Sequence, residues 1–253
     1  MVQNRDISST FIKGMTVLKA FDDSQAQMTI SEVARKSNID AATARRLVLT
    51  LVHLGYLKKI DRNFSLTPRI LVLAGSFLGA NQFGRLVQPI LNRHGADLGR
   101  GISVAMKDGE KAILVAQSSL ASTKMTFGFT VGSHLPLFHT AIGRMLLAME
   151  EQDIVEQLLL DTNLRAHTPQ ATLDRDDILT SIREAADKGY CVVHGEFEHG
   201  VTGIAVPSGT KGDFPSVIGV SDVTESYETE VDLKSVVVGL KRCAAELTQS
   251  SAL

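Results

Sequence analysis

His194, Glu196, Glu198 and His199 fall within one short segment, and imidazoles and carboxylates crowded in this way are common ligands of a divalent cation. On a strand, alternation would put His194, Glu196 and Glu198 on one side. That arrangement allows a metal site, and with it a metal-assisted hydrolase using His194 and Glu196. An exposed polar edge, or contacts to an organic ligand, is the alternative. Other reactive sets are sparse. No GxSxG elbow, Walker loop or dinucleotide fingerprint follows a strand-like run, so no catalytic residues are assigned and no cofactor is expected.

A second chemical signal lies earlier. Met125-Thr-Phe-Gly-Phe-Thr is followed by Leu135-Pro-Leu-Phe-His-Thr-Ala-Ile-Gly-Arg. Thr140 can cap the helix that follows, which leaves the N–H groups of Ala141 and Ile142 free, and a helix start of this kind attracts anions. Phe127, Phe129, Phe138 and Met145 nearby would suit a small apolar or aromatic acid. Each of these side chains could equally be ordinary core.

The third signal is basic. Between Ser31 and Arg62 there are seven Arg and Lys against three Asp and Glu, a local +4 in a chain whose formal net charge is −2. Such asymmetry marks a footprint for a polyanion. Ala41, Ala42, Thr43 and Arg45 would lie in the first turns of a helix, where a recognition helix meets base edges. Arg46, Thr50 and His53 are better placed for phosphates. Lys58 and Arg62 add charge on a hairpin just beyond, with Arg62 at its tip.

These residues need elements to hold them. Phe11, Met15, Leu18 and Phe21 recur at helical spacing. Thr29 and Glu32 form a capping-box pair that starts a second helix with Ile30, Val33 and Ala34 inward. Ser37-Asn38 interrupts it, and Asp40 caps a third helix, with Leu47, Leu51 and Leu54 inward, that stops at Gly55. Tyr56 to Ile60, the turn Asp61-Arg62-Asn63 and Phe64 to Thr67 read as a β-hairpin. Two short helices joined by a tight turn, followed by a basic hairpin, outline a winged helix-turn-helix over residues 1–67.

Residues 68–84 carry the run Arg69-Ile-Leu-Val-Leu-Ala-Gly-Ser-Phe-Leu-Gly, too apolar for a solvated linker. A second subunit, or the chain's own domains, would cover this linker helix. Residues 85–253 read as an antiparallel sheet flanked by helices, which makes the chain α+β. Ile102 to Lys107 and Lys111 to Gln117 form a hairpin about Asp108-Gly109. Helices are expected near 141–149, 153–160 and 174–188, strands at Tyr190 to Val193, Gly203 to Pro207 and Ser216 to Ser221, and a last helix over about 230–247.

With 44% apolar and 21% charged residues, the composition is that of a folded, soluble chain. No apolar run approaches the roughly 18 residues of a membrane span and the polar start lacks a secretory stretch, so no membrane partner and a cytoplasmic location are expected. Cys191 and Cys243 have neither CxxC nor zinc-finger spacing and read as buried free thiols.

The chain resembles the IclR family of bacterial regulators along nearly its whole length. The resemblance is carried by Thr29-Ile-Ser-Glu-Val-Ala, Thr43-Ala-Arg-Arg-Leu, Leu54-Gly-Tyr and Phe64-Ser-Leu-Thr-Pro. Further along it is carried by Leu135-Pro-Leu, Thr140-Ala-Ile-Gly-Arg-Met-Leu-Leu-Ala, Gly189-Tyr, Gly200 and Ala205-Val-Pro. It implies a winged helix-turn-helix that binds a double-stranded, pseudo-palindromic DNA operator, a dimerising linker helix, and a GAF-like effector domain that often mediates tetramers. Ala44 to Leu51 and Leu66 to Leu71 are similar to the branch controlling aromatic acid catabolism, of the protocatechuate and hydroxybenzoate type. Carried over on this basis, Phe127, Gly128, Thr140, Ala141, Met145, Glu196, Glu198 and Ser221 are the expected effector contacts. The chain departs from the family at Val193 and His194, where an acidic pair is usual, and at Gly203, where Cys or Ser is frequent. Those departures imply a different effector. A ligand-binding module that acts only through protein partners fits poorly with so basic a third helix.

Overall fold

The computed structural model describes residues 6–22, 24–80, 82–119, 129–209, 215–227 and 229–250. The chain divides into two compact units, residues 1–77 and 78–253.

In the first unit, helix α1 (Ser9–Lys19) is capped by Ser8, whose Oγ accepts from Phe11 N. Helix α2 (Ile30–Lys36) starts on the capping box foreseen from its sequence: Thr29 N donates to Glu32 Oε2 at 2.8 Å, and Thr29 Oγ1 accepts from Glu32 N. Asn38, at φ 51°, turns the chain into α3 (Ala41–His53), where Asp40 Oδ1 accepts from Thr43 N at 2.8 Å. Strands β1 (Leu57–Ile60) and β2 (Asn63–Leu66) pair antiparallel around Asp61-Arg62, with Asp61 at φ 52°. Val17, Phe21, Met28, Val33, Val48, Leu57 and Phe64 form the core.

Two helix phases differ from the sequence pattern. Of the expected inward face of α1, only Leu18 and Phe21 are buried, while Phe11 is 69% exposed. Only the end of α1 lies on this core, through Val17 and Ala20. On α3 the buried stripe is Ala44 and Val48, with Leu47 and Leu51 half-buried and Leu54 exposed. Small residues at i and i+4 face the core, so phasing the helix on its bulkier leucines rotates the buried stripe away from Ala44 and Val48.

Helix α4 (Ile70–Ala80) has no buried residue. In the second unit a single wide turn, Phe83–Val87, runs into α5 (Gln88–Leu98). A six-stranded antiparallel sheet follows, in the order β5-β4-β3-β8-β7-β6. Its strands are β3 (Ser103–Asp108), β4 (Lys111–Gln117), β5 (His134–Pro136), β6 (Cys191–His194), β7 (Val201–Pro207) and β8 (Ser216–Val223). Side-chain alternation sorts the two faces. Val104, Ile204, Val206, Ile218 and Val220 pack with α5 and α9 (Glu230–Gln249). Ala105, Leu114, Ala205 and Val217 pack with α6 (Ala141–Leu147), α7 (Gln152–Asp161) and α8 (Arg175–Lys188).

Helix α5 has no counterpart in the expected elements, although Pro89 in its first turn and the left-handed Gly99 after its last mark its ends. Both cysteines are buried and free, and burial pushes each thiol up to about 12. Among the described residues, no single helix is long and apolar enough to cross a membrane.

Candidate functional site

On the first unit, α3 presents Ala41, Ala42, Arg45, Arg46, Thr50 and His53 to solvent, with Thr43 half-buried at the cap. Lys58 and Arg62 stand exposed on the hairpin. Among the described residues, Arg45, Arg46, Lys58 and Arg62 have no carboxylate partner. Their charge is therefore available to an external anion. Lys36 differs: it pairs with Asp22 at 2.8 Å, and this partner first, then Ser24, holds the Asp22 carboxyl down to about 2. Thr50 is less free than the sequence suggests, because its Oγ1 donates to Arg46 O at 2.8 Å.

The second unit encloses a cavity of about 230 Å³ between the sheet and the start of α6. Leu114, Leu135, Ile142, Val193, Phe197 and Val220 form its apolar wall, and Ser103, Ser118, Ser119 and Ser221 supply hydroxyls. No Lys or Arg is among these lining residues.

Helix α6 is pressed against the chain before it so closely that a Cβ at Gly143 would overlap the Leu137 backbone. Thr140 caps it, its Oγ1 accepting from Gly143 N at 3.0 Å and donating to Pro136 O at 2.7 Å. Its hydroxyl is thus spent on positioning. Among the described residues the Ala141 and Ile142 N–H groups have no acceptor, and both residues line the cavity. Facing Ala141, Gly203 of β7 allows a close approach: an added Cβ would lie 3.3 Å from Ala141 Cβ, tighter than ordinary van der Waals contact, and 3.7 Å from Ser221 Oγ.

Of the expected effector contacts, the cavity gathers Thr140, Ala141, Glu196, Glu198 and Ser221. Met145 is not among them. One turn further along α6, it is 2% exposed and sealed in the core. Phe127 and Gly128 lie outside the described residues.

The His194 to His199 segment does not form the metal cluster its residue types allow. Strand β6 ends at His194 and Gly195 takes φ 65°, so alternation stops before Glu196. His194 Nδ1 bonds Thr202 Oγ1 at 2.9 Å, His199 Nδ1 bonds Gln170 Oε1 at 3.1 Å, and Glu196 turns inward to Arg144. Among the described residues, no three His, Cys, Asp or Glu side chains come together to hold a metal ion.

Two buried residues, His139 in the wall and Arg144 behind it, escaped the sequence reading. Arg144 is 4% exposed, donates through Nη2 to Glu196 Oε2 at 2.7 Å, and donates through Nε to Phe138 O at 2.8 Å. A lone charge inside the apolar run Ala141-Ile-Gly-Arg-Met-Leu-Leu was its signal, since a buried guanidinium demands a partner. His139 is 3% exposed and bonds Thr172 O through Nε2 at 3.2 Å. A carbonyl only accepts, so Nε2 carries the proton and Nδ1 is an acceptor. Burial pushes this imidazole below its ordinary value, against the opposing effects of Thr172 O and Glu196. His167 meets the His139 ring edge-on at 5.4 Å and the Phe197 ring edge-on at 5.0 Å, and Phe197 in turn lies 5.7 Å from Phe129.

Comparison with known proteins places both units. Residues 11–61 match the IclR helix-turn-helix domain, and residues 78–249 match the C-terminal part of the bacterial transcriptional regulator IclR. The chain is 30% identical over 253 residues to the Pca operon regulatory protein of Acinetobacter baylyi, covering 98% of this chain and 90% of the relative. A solved transcriptional regulator from Rhodococcus sp. RHA1 matches at 30% identity with a TM-score of 0.80, covering 97% of this chain and 99% of that one. An IclR homolog complexed with 4-hydroxybenzoate, from Microbacterium hydrocarbonoxydans, shares the fold at 21% identity and a TM-score of 0.76, with 94% and 97% covered. With a basic helix-turn-helix in one unit and a cavity in the other, both matched to the family, the chain belongs to the IclR family of bacterial transcriptional regulators.

Proposed function

We propose that this regulator binds a pseudo-palindromic operator through α3 and the β1–β2 hairpin, and that a single-ring aromatic carboxylate in the cavity controls that binding. The observation that carries the reading is the cavity itself. At about 230 Å³ it is smaller than the roughly 300–1,000 Å³ of pockets for drug-sized ligands, which suits one ring bearing small polar groups. Its lining alternates apolar side chains with hydroxyls. The Ala141 and Ile142 N–H groups and the serine hydroxyls meet the carboxylate. Support for an aromatic acid also comes from the fold shared with the homolog that holds 4-hydroxybenzoate.

Base edges fall to Ala41, Ala42, Thr43 and Arg45, and phosphates to Arg46, His53, Lys58 and Arg62, with Thr50 alongside. The active species is a dimer. Helix α4 leaves Leu71, Val72 and Leu73 more than half exposed, a continuous apolar surface for a second subunit. A thermal-shift titration with 4-hydroxybenzoate, 3,4-dihydroxybenzoate and benzoate tests the sensor. A ligand selective for the folded state raises the apparent stability by mass action, and failure of all three acids to shift the melting temperature would refute the reading.

A further inference from the structure

Resting on the sensor reading above, we infer that Gln88 and Asn92 of α5 are positioning residues that carry the state of the cavity to the helix leading out of the sensing unit. The end of β4 and the residues after it, Gln117, Ser118 and Ser119, line the cavity, and α5 holds each of them. Gln88 Nε2 donates to Gln117 O at 2.8 Å. Ser119 N donates to Asn92 Oδ1 at 2.8 Å. Between them, Gly95 lies so close to Ser118 that an added Cβ would sit 3.0 Å from its Oγ.

Gln88 Nε2 also donates to Asn92 Oδ1 at 2.9 Å, which joins the two contacts in one network. The amide orientations follow from chemistry: Gln117 O only accepts and Ser119 N only donates, so Gln88 must offer its nitrogen and Asn92 its oxygen.

The position of these residues along the chain gives the network its consequence. Gln88 follows directly on the wide turn Phe83–Val87, where Phe83 and Val87 are buried against α5 and α9. Before that turn, Gln82 breaks the helix in the left-handed conformation at φ 54°, and α4 precedes it. Wide turns of this kind hold an extra residue, and losing or regaining it rotates the preceding helix by about 100°. A ligand that shifts the Gln117 to Ser119 wall therefore pulls on α5 beside a turn able to change register.

The test uses the full chain, 4-hydroxybenzoate as the probe, and a DNA fragment selected by the wild-type protein. Asn92→Leu removes both acceptor bonds, whereas Asn92→Asp keeps them. In the wild type, the acid is expected to change operator affinity by roughly 5- to 150-fold, the usual range of allosteric coupling. Asn92→Leu should bind the acid within about threefold of wild type while its operator response falls below about twofold, and Asn92→Asp should restore the response. Gln88→Met, close to isosteric, carries the same expectation if Asn92→Leu does not fold. An undiminished operator response in Asn92→Leu or Gln88→Met overturns the inference and leaves the sensor reading standing. Loss of acid binding in these variants overturns it too, since it would make them part of the ligand site, as would an uncoupled Asn92→Asp. A wild type that binds no acid refutes the sensor reading, and this inference falls with it.

Discussion

Arg144 on α6 and Glu196 in the turn after β6 meet through Nη2 and Oε2 at 2.7 Å, with side-chain exposures of 4% and 11%. The pair lies 52 residues apart in sequence, and its Glu196 lines the cavity. Its partners are specific: Arg144 also binds Phe138 O, and Thr172 N donates to the same Glu196 oxygen at 3.4 Å. Removing one member leaves the other charge buried alone, which costs about 3–5 kcal/mol in comparable pairs. Glu196→Ala should therefore lower unfolding stability by about that amount in urea titration, and Arg144→Met with Glu196→Ala should cost less than the two single changes added. A single-variant loss well under about 1 kcal/mol would show the pair to be exposed rather than structural.

Gly203 lines the cavity beside Ala141. Its φ is not left-handed and it sits in the ladder between Val193 and Ser221, so a β-branched residue suits the backbone. Gly203→Val puts a Cβ 3.3 Å from Ala141 Cβ, so the start of α6 must give way by a few tenths of an ångström. We expect a stability loss of about 1–3 kcal/mol without ligand, from overpacking, and a loss of at least about tenfold in 4-hydroxybenzoate affinity by calorimetry. Unchanged affinity would move the ligand away from β7.

His139 gives the sensing unit an acid-sensitive element. Burial depresses its folded-state pKa while the unfolded chain titrates near about 6.5, so the unfolded state binds more protons between these values. The stability due to neutral His139 is complete above about pH 6.5 and is lost as pH falls from there towards the folded pKa. His139→Gln, measured by urea unfolding at about pH 7.5 and about pH 5.5, should lose less stability on acidification than wild type. Equal losses would contradict a buried, neutral imidazole.

Much of the architecture was legible because caps and turns are written locally. Thr29 with Glu32, Asp40, and Asp174, whose side chain accepts from Asp176 N and Asp177 N, each announce a helix through contacts spanning two or three residues. Strands β7 and β8 declared themselves as apolar runs. The phases of α1 and α3 were harder to read, since tertiary packing chose Val17 and Val48 over the bulkier Phe11 and Leu54. The cavity wall was legible only in part. Thr140 and Ala141 belong to one contiguous motif, but the partnership of Arg144 with Glu196, and of His139 with the Thr172 carbonyl, depends on chain crossings that no local pattern encodes. The metal reading of His194 to His199 failed for a local reason, the left-handed Gly195 that ends the alternation.

On the DNA side, Arg45 and Arg46 are expected to act differently. Arg45→Ala should cost about 1–3 kcal/mol on the selected operator and relax preference at one base position. Arg46→Ala should weaken binding to all sequences alike and reduce the steepness of the salt dependence by about 1 in the log–log slope. Fluorescence anisotropy at several salt concentrations separates these patterns, and identical behaviour of the two variants would refute the division of α3 into base-reading and phosphate-binding residues.

Occupancy of the cavity is expected to change operator affinity. The most direct measurement is a titration of the full chain onto the selected operator with and without saturating 4-hydroxybenzoate, with acid binding verified by thermal shift in the same buffer. We expect the acid to move the dissociation constant by roughly 5- to 150-fold. An acid that binds the protein yet leaves the dissociation constant unchanged would contradict the account.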